Sequence, residues 1–245
     1  FHQDRFGYWK CNIHDAVSGE AVIHKVVTVG GEVLNPQVAV VPVGTTYRDL
    51  IQLAGGATLP ENEFAVIDGG PMMGTLVSDL LVGITKKTSG ILLLPMHNPV
   101  VVERAKTLIF QSGVAKSICN QCSRCTDFCP RYLLGHALKP NKMMESTFGA
   151  TDFLPESHKT ANQCCLCGLC TFFACDMGLS PMAKYNFLKK NVPRESLAPA
   201  RGSGFEVHPF RREKQVATHR LIERLKLEKY DRPLLPFTTK PVAVN

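Results

Sequence analysis

Ten cysteines punctuate this 245-residue chain, and nine of them fall between positions 119 and 175. The first group reads Cys119-Asn-Gln-Cys122-Ser-Arg-Cys125-Thr-Asp-Phe-Cys129-Pro130, a C-x2-C-x2-C-x3-C-P run. The second reads Cys164-Cys165-Leu-Cys167-Gly-Leu-Cys170-Thr-Phe-Phe-Ala-Cys175. It repeats the first with one extra residue before the last cysteine, and Asp176 stands where proline is usual. Three thiols spaced by two residues can wrap one corner of a compact metal–sulfide core. The fourth is carried away on the following chain, and in two-cluster ferredoxins it ligates the other cluster. The expected ligands are therefore Cys119, Cys122, Cys125 and Cys175 for one [4Fe–4S] cluster. Cys164, Cys167, Cys170 and Cys129 are expected to hold the second. Cys164 is preferred over Cys165 because only Cys164 keeps the two-residue gap to Cys167, leaving Cys165 as a spare thiol. Zinc also takes CxxC pairs, but structural zinc sites draw on two separated pairs. A disulfide framework suits small secreted domains rather than a long chain with a substantial apolar fraction.

Hydrophobic residues make up 44% of the chain, so there is enough apolar material for one large or two small domains. Apolar runs such as Ile91 to Leu94 are far too short to span a bilayer. Iron thiolates need a reducing interior, so a cytoplasmic setting is expected. The formal charge is +7, with much of the excess between Lys184 and Arg232. No basic–aromatic interleaving or nucleic-acid motif accompanies that stretch. It reads as a solvated or partner-facing tail, and an acidic protein surface is the expected partner, not nucleic acid.

Elements must hold these cysteines in place. Residues 1–25 read as the end of a preceding domain or a linker. There His2, Asp4, Cys11 and His14 show no metal-ligand spacing, and Trp9 is expected to pack in a core or interface. From Val26 the pattern changes. Val26 to Val29 is a β-branched strand interrupted by Gly30-Gly31, and Val38 to Val43 is a second strand that Pro42 places at an edge. Thr46 with Asp49 forms a capping box for a helix carrying Tyr47, Leu50, Ile51 and Ala54, stopped by Gly55-Gly56. Strands are expected at 64–67, 76–82 and 91–94, and one helix over 99–113. Short helices around Tyr132 to Leu138 and around Tyr185 and Leu188 are expected to pack over the clusters. Residues 139–162, with Met143, Met144, Phe148 and Phe153, form a long connection. A Pro/Gly/Ser-rich linker from Pro193 to His208 leads to a docking helix over 213–229, ended by Pro233 and Pro236.

Val-Thr-Val-Gly-Gly-Glu-Val, Gly-Thr-Thr-Tyr-Arg-Asp-Leu-Ile and Ala-Gly-Gly resemble the SLBB module, a β-grasp fold. Asp68-Gly-Gly-Pro-Met-Met-Gly74 and Thr85 to Ile91, leading into two cysteine blocks, resemble the RnfC family of Rnf electron-transport complexes. Within it, the Cys164-Cys165 pair, Met177-Gly-Leu-Ser-Pro181 and the Arg220 to Asp231 ending resemble its microcompartment cobalamin-reductase branch. The resemblance implies an α+β chain in which an SLBB β-grasp module (26–97) is followed by a two-cluster ferredoxin-like domain (98–192). A linker and basic docking segment (193–245) complete it. It also implies electron transfer from NADH, through flavin and the clusters, to cobalamin serving a B12-dependent enzyme. The lumen of a bacterial microcompartment is an implied location, and its shell or other electron-transfer subunits are implied partners. FMN and NADH are expected only on an N-terminal domain that this chain, opening at Phe1 without a strand–GxGxxG–helix unit, does not carry. Gly69 to Gly74 is expected to be a structural turn against that domain, with ligand contact as the alternative. His97 is a candidate axial ligand or, more simply, a turn histidine. Alternatives to the reductase reading are an RnfC-like electron-transport component and a zinc-stabilised ligand-binding adaptor.

Overall fold

The computed structural model describes residues 23–145, 156–197 and 206–231. His2, Asp4, Trp9, Cys11, His14, Phe148, Phe153, Pro233 and Pro236 lie outside the described residues. The chain divides into two compact units, residues up to Arg104 together with those from Lys229, and Ala105–Glu228.

The first unit is built on a five-stranded sheet of β1 (His24–Gly31), β2 (Gln37–Pro42), β3 (Phe64–Asp68), β4 (Thr75–Leu76) and β5 (Gly90–Pro95). Strand order is β2-β1-β5-β3-β4, with β1 antiparallel to β2 and parallel to β5. Val27 and Val29 point into the core while Thr28 between them is exposed, the alternation of a half-buried strand. Helix Tyr47–Leu53 buries Tyr47, Leu50 and Ile51 in the same apolar cluster as Val41, Phe64 and Leu93. Its start is the expected capping box: Thr46 Oγ1 accepts from Asp49 N at 3.1 Å, and Thr46 N donates to Asp49 Oδ2 at 3.3 Å. Gly56 N–H reaches Ile51 O and Gly55 N–H reaches Gln52 O, closing the helix in a Schellman turn.

Four expectations change. β1 runs without interruption through Gly30-Gly31, because the parallel pairing to β5 extends to Gly31↔Leu93. The strand expected over 76–82 is only Thr75–Leu76; Val77 N–H still reaches Val66 O, but Leu80 and Val82 carbonyls turn to the helix start at Arg48 and Tyr47. The single helix over 99–113 is two, Pro99–Ala105 and Leu108–Ile118, because Thr107 caps the second through Phe110 N. The first falls in the sheet unit. The helix expected over 213–229 is confined to Thr218–Arg224. Gly69 to Gly74 is the turn between β3 and β4, where the Arg104 guanidinium donates to Met72 O. Asp68 at its start accepts from Tyr47 Oη at 2.8 Å and Thr88 Oγ1 at 2.9 Å. His97 is exposed in the turn after β5.

One buried carboxylate ties the end of the described chain to this sheet. Glu32, 4% exposed, accepts from Thr58 Oγ1 at 2.5 Å and Tyr230 Oη at 2.6 Å, and pairs with Lys229. Burial alone would raise its pKa. The hydrogen bonds from Lys229, Thr58 and Tyr230 outweigh it and hold the carboxyl at about 2, against an ordinary 4.5. A depressed carboxyl stabilises the fold above its unfolded pKa, and that stability is lost as pH falls through the folded one. Lys229 is solvent-exposed, so the contribution is taken as about 2 kcal/mol rather than the full shift. Glu32→Gln is expected to lower unfolding stability by that amount at pH 7. The difference from the parent should shrink below pH 4.5 and vanish near pH 2 in denaturant titrations. A constant difference across that window would remove Glu32 as its cause.

Candidate iron–sulfur centres

The second unit is a set of short helices joined by the two cysteine loops. Nine cysteines are described and all are free thiols. Cys119, Cys122, Cys125 and Cys175 line one cavity of about 110 Å³. Cys129, Cys164, Cys165, Cys167 and Cys170 line a second, tighter one of about 10 Å³. Each cavity thus takes its thiols from one loop and a single further thiol from the other. Among the described residues no three His, Cys, Asp or Glu side chains converge closely enough for a single metal ion.

The two loops have the same backbone. Gln121 (φ 56°) and Ser123 (φ 61°) flank Cys122 in left-handed conformation; Leu166 (φ 55°) and Gly168 (φ 82°) flank Cys167 likewise. Left-handed non-glycine residues cost roughly 1–2 kcal/mol each. Alternating them curls the chain into the amide-lined concavity used for anions, iron–sulfur cores among them. Counting back from these matched residues, Cys164 occupies the place of Cys119, and Cys165 the place of Asn120.

The fourth cysteines leave differently. Cys129 is followed by Pro130 at the first position of helix Pro130–Leu133. After Cys175 the chain makes a further turn, Gly178 N–H to Cys175 O, before Ser180 caps helix Pro181–Asn191 with Pro181 at its start. The proline missing at 176 is thus displaced to 181. Asp176 pairs with Arg124, beside Cys125, and with Arg224 at 3.7 Å. That clip holds Cys175 against the first loop. Both partners are half-exposed, so it contributes at most about 1 kcal/mol.

The segments that lead to the two fourth cysteines touch each other. Phe128, between Cys125 and Cys129, meets Phe173, between Cys170 and Cys175, edge to face at 5.4 Å. Lys214 sits 5.4 Å over the Phe128 ring and Arg220 5.1 Å over the Phe173 ring. His208 N–H donates to Leu133 O at 3.0 Å. Within the described residues, then, the segment taken for linker and docking tail lies on the cysteine unit of its own chain. On the other side Asn141 braces the first loop, accepting from Thr126 Oγ1 at 2.6 Å and donating to Ser123 Oγ at 3.1 Å. Neither Asn141 nor the Arg124–Asp176 pair carries a spacing signal that sequence reasoning could use.

Electrostatics fit a site made for thiolates that arrive with a metal. Burial pushes the Cys125 thiol up to about 12, helped by its neighbours Cys175, Cys122 and Cys119. Burial also raises Cys129, Cys170 and Cys164, the last to about 11. A hydrogen bond from the Cys167 thiol, with the Arg131 guanidinium, lowers the Cys165 pKa, and Cys167 is raised in turn. Iron binding must therefore displace protons from most of these thiols.

Comparison with known proteins agrees with this geometry. Residues 118–180 match the 4Fe-4S dicluster domain family, and residues 26–76 match the SLBB domain family. Cobalamin reductase PduS of Salmonella typhimurium is 37% identical over 171 residues, 70% of this chain and 38% of that protein. The Citrobacter freundii PduS is 37% identical over 182 residues, 74% of this chain and 40% of its own length.

The chain is a PduS homologue.

It is also related to the RnfC-type components of ion-translocating complexes. The RnfC-type component of the proton-translocating ferredoxin:NAD(+) oxidoreductase complex of Clostridium ljungdahlii is 35% identical over 152 residues, 61% of this chain and 29% of that one. The chain spans about two fifths of the PduS proteins it matches. This PduS homologue carries an SLBB sheet domain followed by a helical dicluster domain, and that domain with its cysteine motif implies two [4Fe–4S] clusters. No described helix is long and apolar enough to cross a membrane.

Proposed function

We propose that the chain is the electron-transfer portion of a flavin-dependent NADH oxidoreductase that delivers single electrons to a cobalamin. The observation that carries this reading is the exchange of fourth cysteines between two matching loops, each set lining its own cavity. Cys119, Cys122, Cys125 and Cys175 would hold one [4Fe–4S] cluster, and Cys164, Cys167, Cys170 and Cys129 the other. Such clusters supply one-electron storage at a potential set by their surroundings. The protein's part is to hold the sites side by side and keep water from them. The Phe128–Phe173 pair, with Lys214 and Arg220 over its rings, would add cover to the segments that carry the fourth cysteines. NADH and FMN would belong to the part of the PduS relatives that this chain does not span. The cobalamin acceptor, a microcompartment setting and partner subunits are carried from the relatives' names and from the resemblance.

The relation to RnfC-type components of ion-translocating complexes supports a second acceptor, a membrane electron-transport chain. The deciding experiment is anoxic purification with iron, acid-labile sulfide and zinc assays. The dithionite-reduced chain is then mixed with cob(II)alamin, and the chain's partners are identified by co-purification. About eight irons per chain and oxidation by the corrinoid are expected. No oxidation by the corrinoid together with stable co-purification with membrane components would move the chain to the second reading. Zinc without sulfide would leave a structural adaptor and end both.

A further inference from the structure

Tyr185 is the largest fully buried side chain among the described residues. It lies on helix Pro181–Asn191 and belongs to the apolar cluster that includes Cys129, Leu138, Met143 and Leu188. Its hydroxyl is enclosed and meets no hydrogen-bond partner among the described residues. A buried hydroxyl left unpaired costs about 1–3 kcal/mol, and phenylalanine would fill the same space without that cost. Tyr185 also lines the second cysteine cavity. Ser112 Oγ and Gln163 Oε1 are buried and unpaired too, but neither residue lines a cysteine cavity.

A donor that no described protein group accepts, set in the wall of a cavity that five thiols share, is matched by a sulfur acceptor inside it. We propose that the Tyr185 hydroxyl donates a hydrogen bond to a sulfur of the second cluster site and sets the potential of that cluster. This rests on the two-cluster reading above. Hydrogen bonds to cluster sulfur stabilise the more negative, reduced state and so raise the potential. Tyr185 is a positioning and tuning residue: it ligates nothing and keeps its proton.

Two variants with opposite effects test it in the full chain, reconstituted without oxygen and titrated potentiometrically with EPR detection. Tyr185→Phe removes the donor. It should keep the parent's iron and sulfide and shift one cluster to a more negative potential, leaving the other nearly unmoved. Site-specific 3-fluorotyrosine at position 185 keeps the ring and strengthens the donor, and should shift the same cluster positive. The shifted signal should be the one lost in Cys170→Ser. Full iron with unmoved potentials in both variants overturns the role of Tyr185 alone. Absence of iron and sulfide from the unsubstituted chain overturns the cluster reading and this one with it. If Tyr185→Phe binds less iron, the fluorotyrosine chain decides by the sign of its shift.

Discussion

Cys170→Ser is expected to halve the iron of the purified chain, from about eight atoms to about four. Cys170 is buried, at the start of the short helix Leu169–Phe172 in the wall of the second cavity. Serine is nearly the same size but its hydroxyl ionises far above neutral pH, so it cannot replace a thiolate there. Cys125→Ser should remove the other half, because Cys125 belongs to the first cavity. The EPR spectrum of each variant should lose one cluster and any interaction between the two. Cys164 and Cys165 give the sharper contrast. Cys164 shares its backbone place with Cys119, so Cys164→Ser should lose the second cluster and Cys165→Ser should keep the parent's iron. The reverse outcome would hand the ligand role to Cys165, which also faces that cavity.

Gly31→Ala should unfold the sheet domain while the iron stays. At φ +89°, Gly31 lies in the left-handed half of backbone space, and a Cβ there would stand 2.0 Å from the Leu93 carbonyl oxygen. That oxygen belongs to the neighbouring strand β5 and already accepts from Glu32 N–H at 3.0 Å. The obstacle is backbone in the middle of a sheet, so no side chain can swing aside. Strand displacement and left-handed strain together should cost on the order of 4 kcal/mol or more. Hydrogen exchange read by mass spectrometry should show lost protection in 24–31 and 90–95. Iron and sulfide should remain at the parent level, since every proposed ligand lies within the separate unit Ala105–Glu228. Retained protection in β1 and β5 would show that the sheet can shift to admit the methyl group.

Much of the sheet domain was legible before its structure. The capping box at Thr46 and Asp49, the glycine pair that closes the helix, and the edge strand ending in Pro42 are local signals, each acting over a few residues. The errors fall where local pattern yields to pairing. Val77 to Val82 has the composition of a strand, but Leu80 and Val82 spend their carbonyls on the start of helix Tyr47–Leu53. Gly30-Gly31 has the composition of a break, but parallel pairing to β5 carries β1 through it. The basic stretch after residue 206 reads as partner-facing because its cations are many. Which of them lie over Phe128 and Phe173 depends on residues dozens of positions away.

The same division holds at the candidate centres. Three thiols at two-residue spacing are a local arrangement, so the sequence alone determined two cysteine loops, their repeat and the preference for Cys164. It also pointed to metal ligation, in agreement with the match of residues 118–180 to the 4Fe-4S dicluster family. Only the tertiary structure decided that Arg124 meets Asp176 across 52 positions. It alone put Asn141 under the first loop and returned Lys229 and Tyr230 to Glu32 across nearly 200 residues. It alone showed Tyr185 as a buried hydroxyl without a partner among the described residues, where its sequence neighbours suggested ordinary core. Periodicity records which face of an element is apolar. It does not record what lies opposite that face, and a hydrogen-bond donor's role depends on the acceptor opposite.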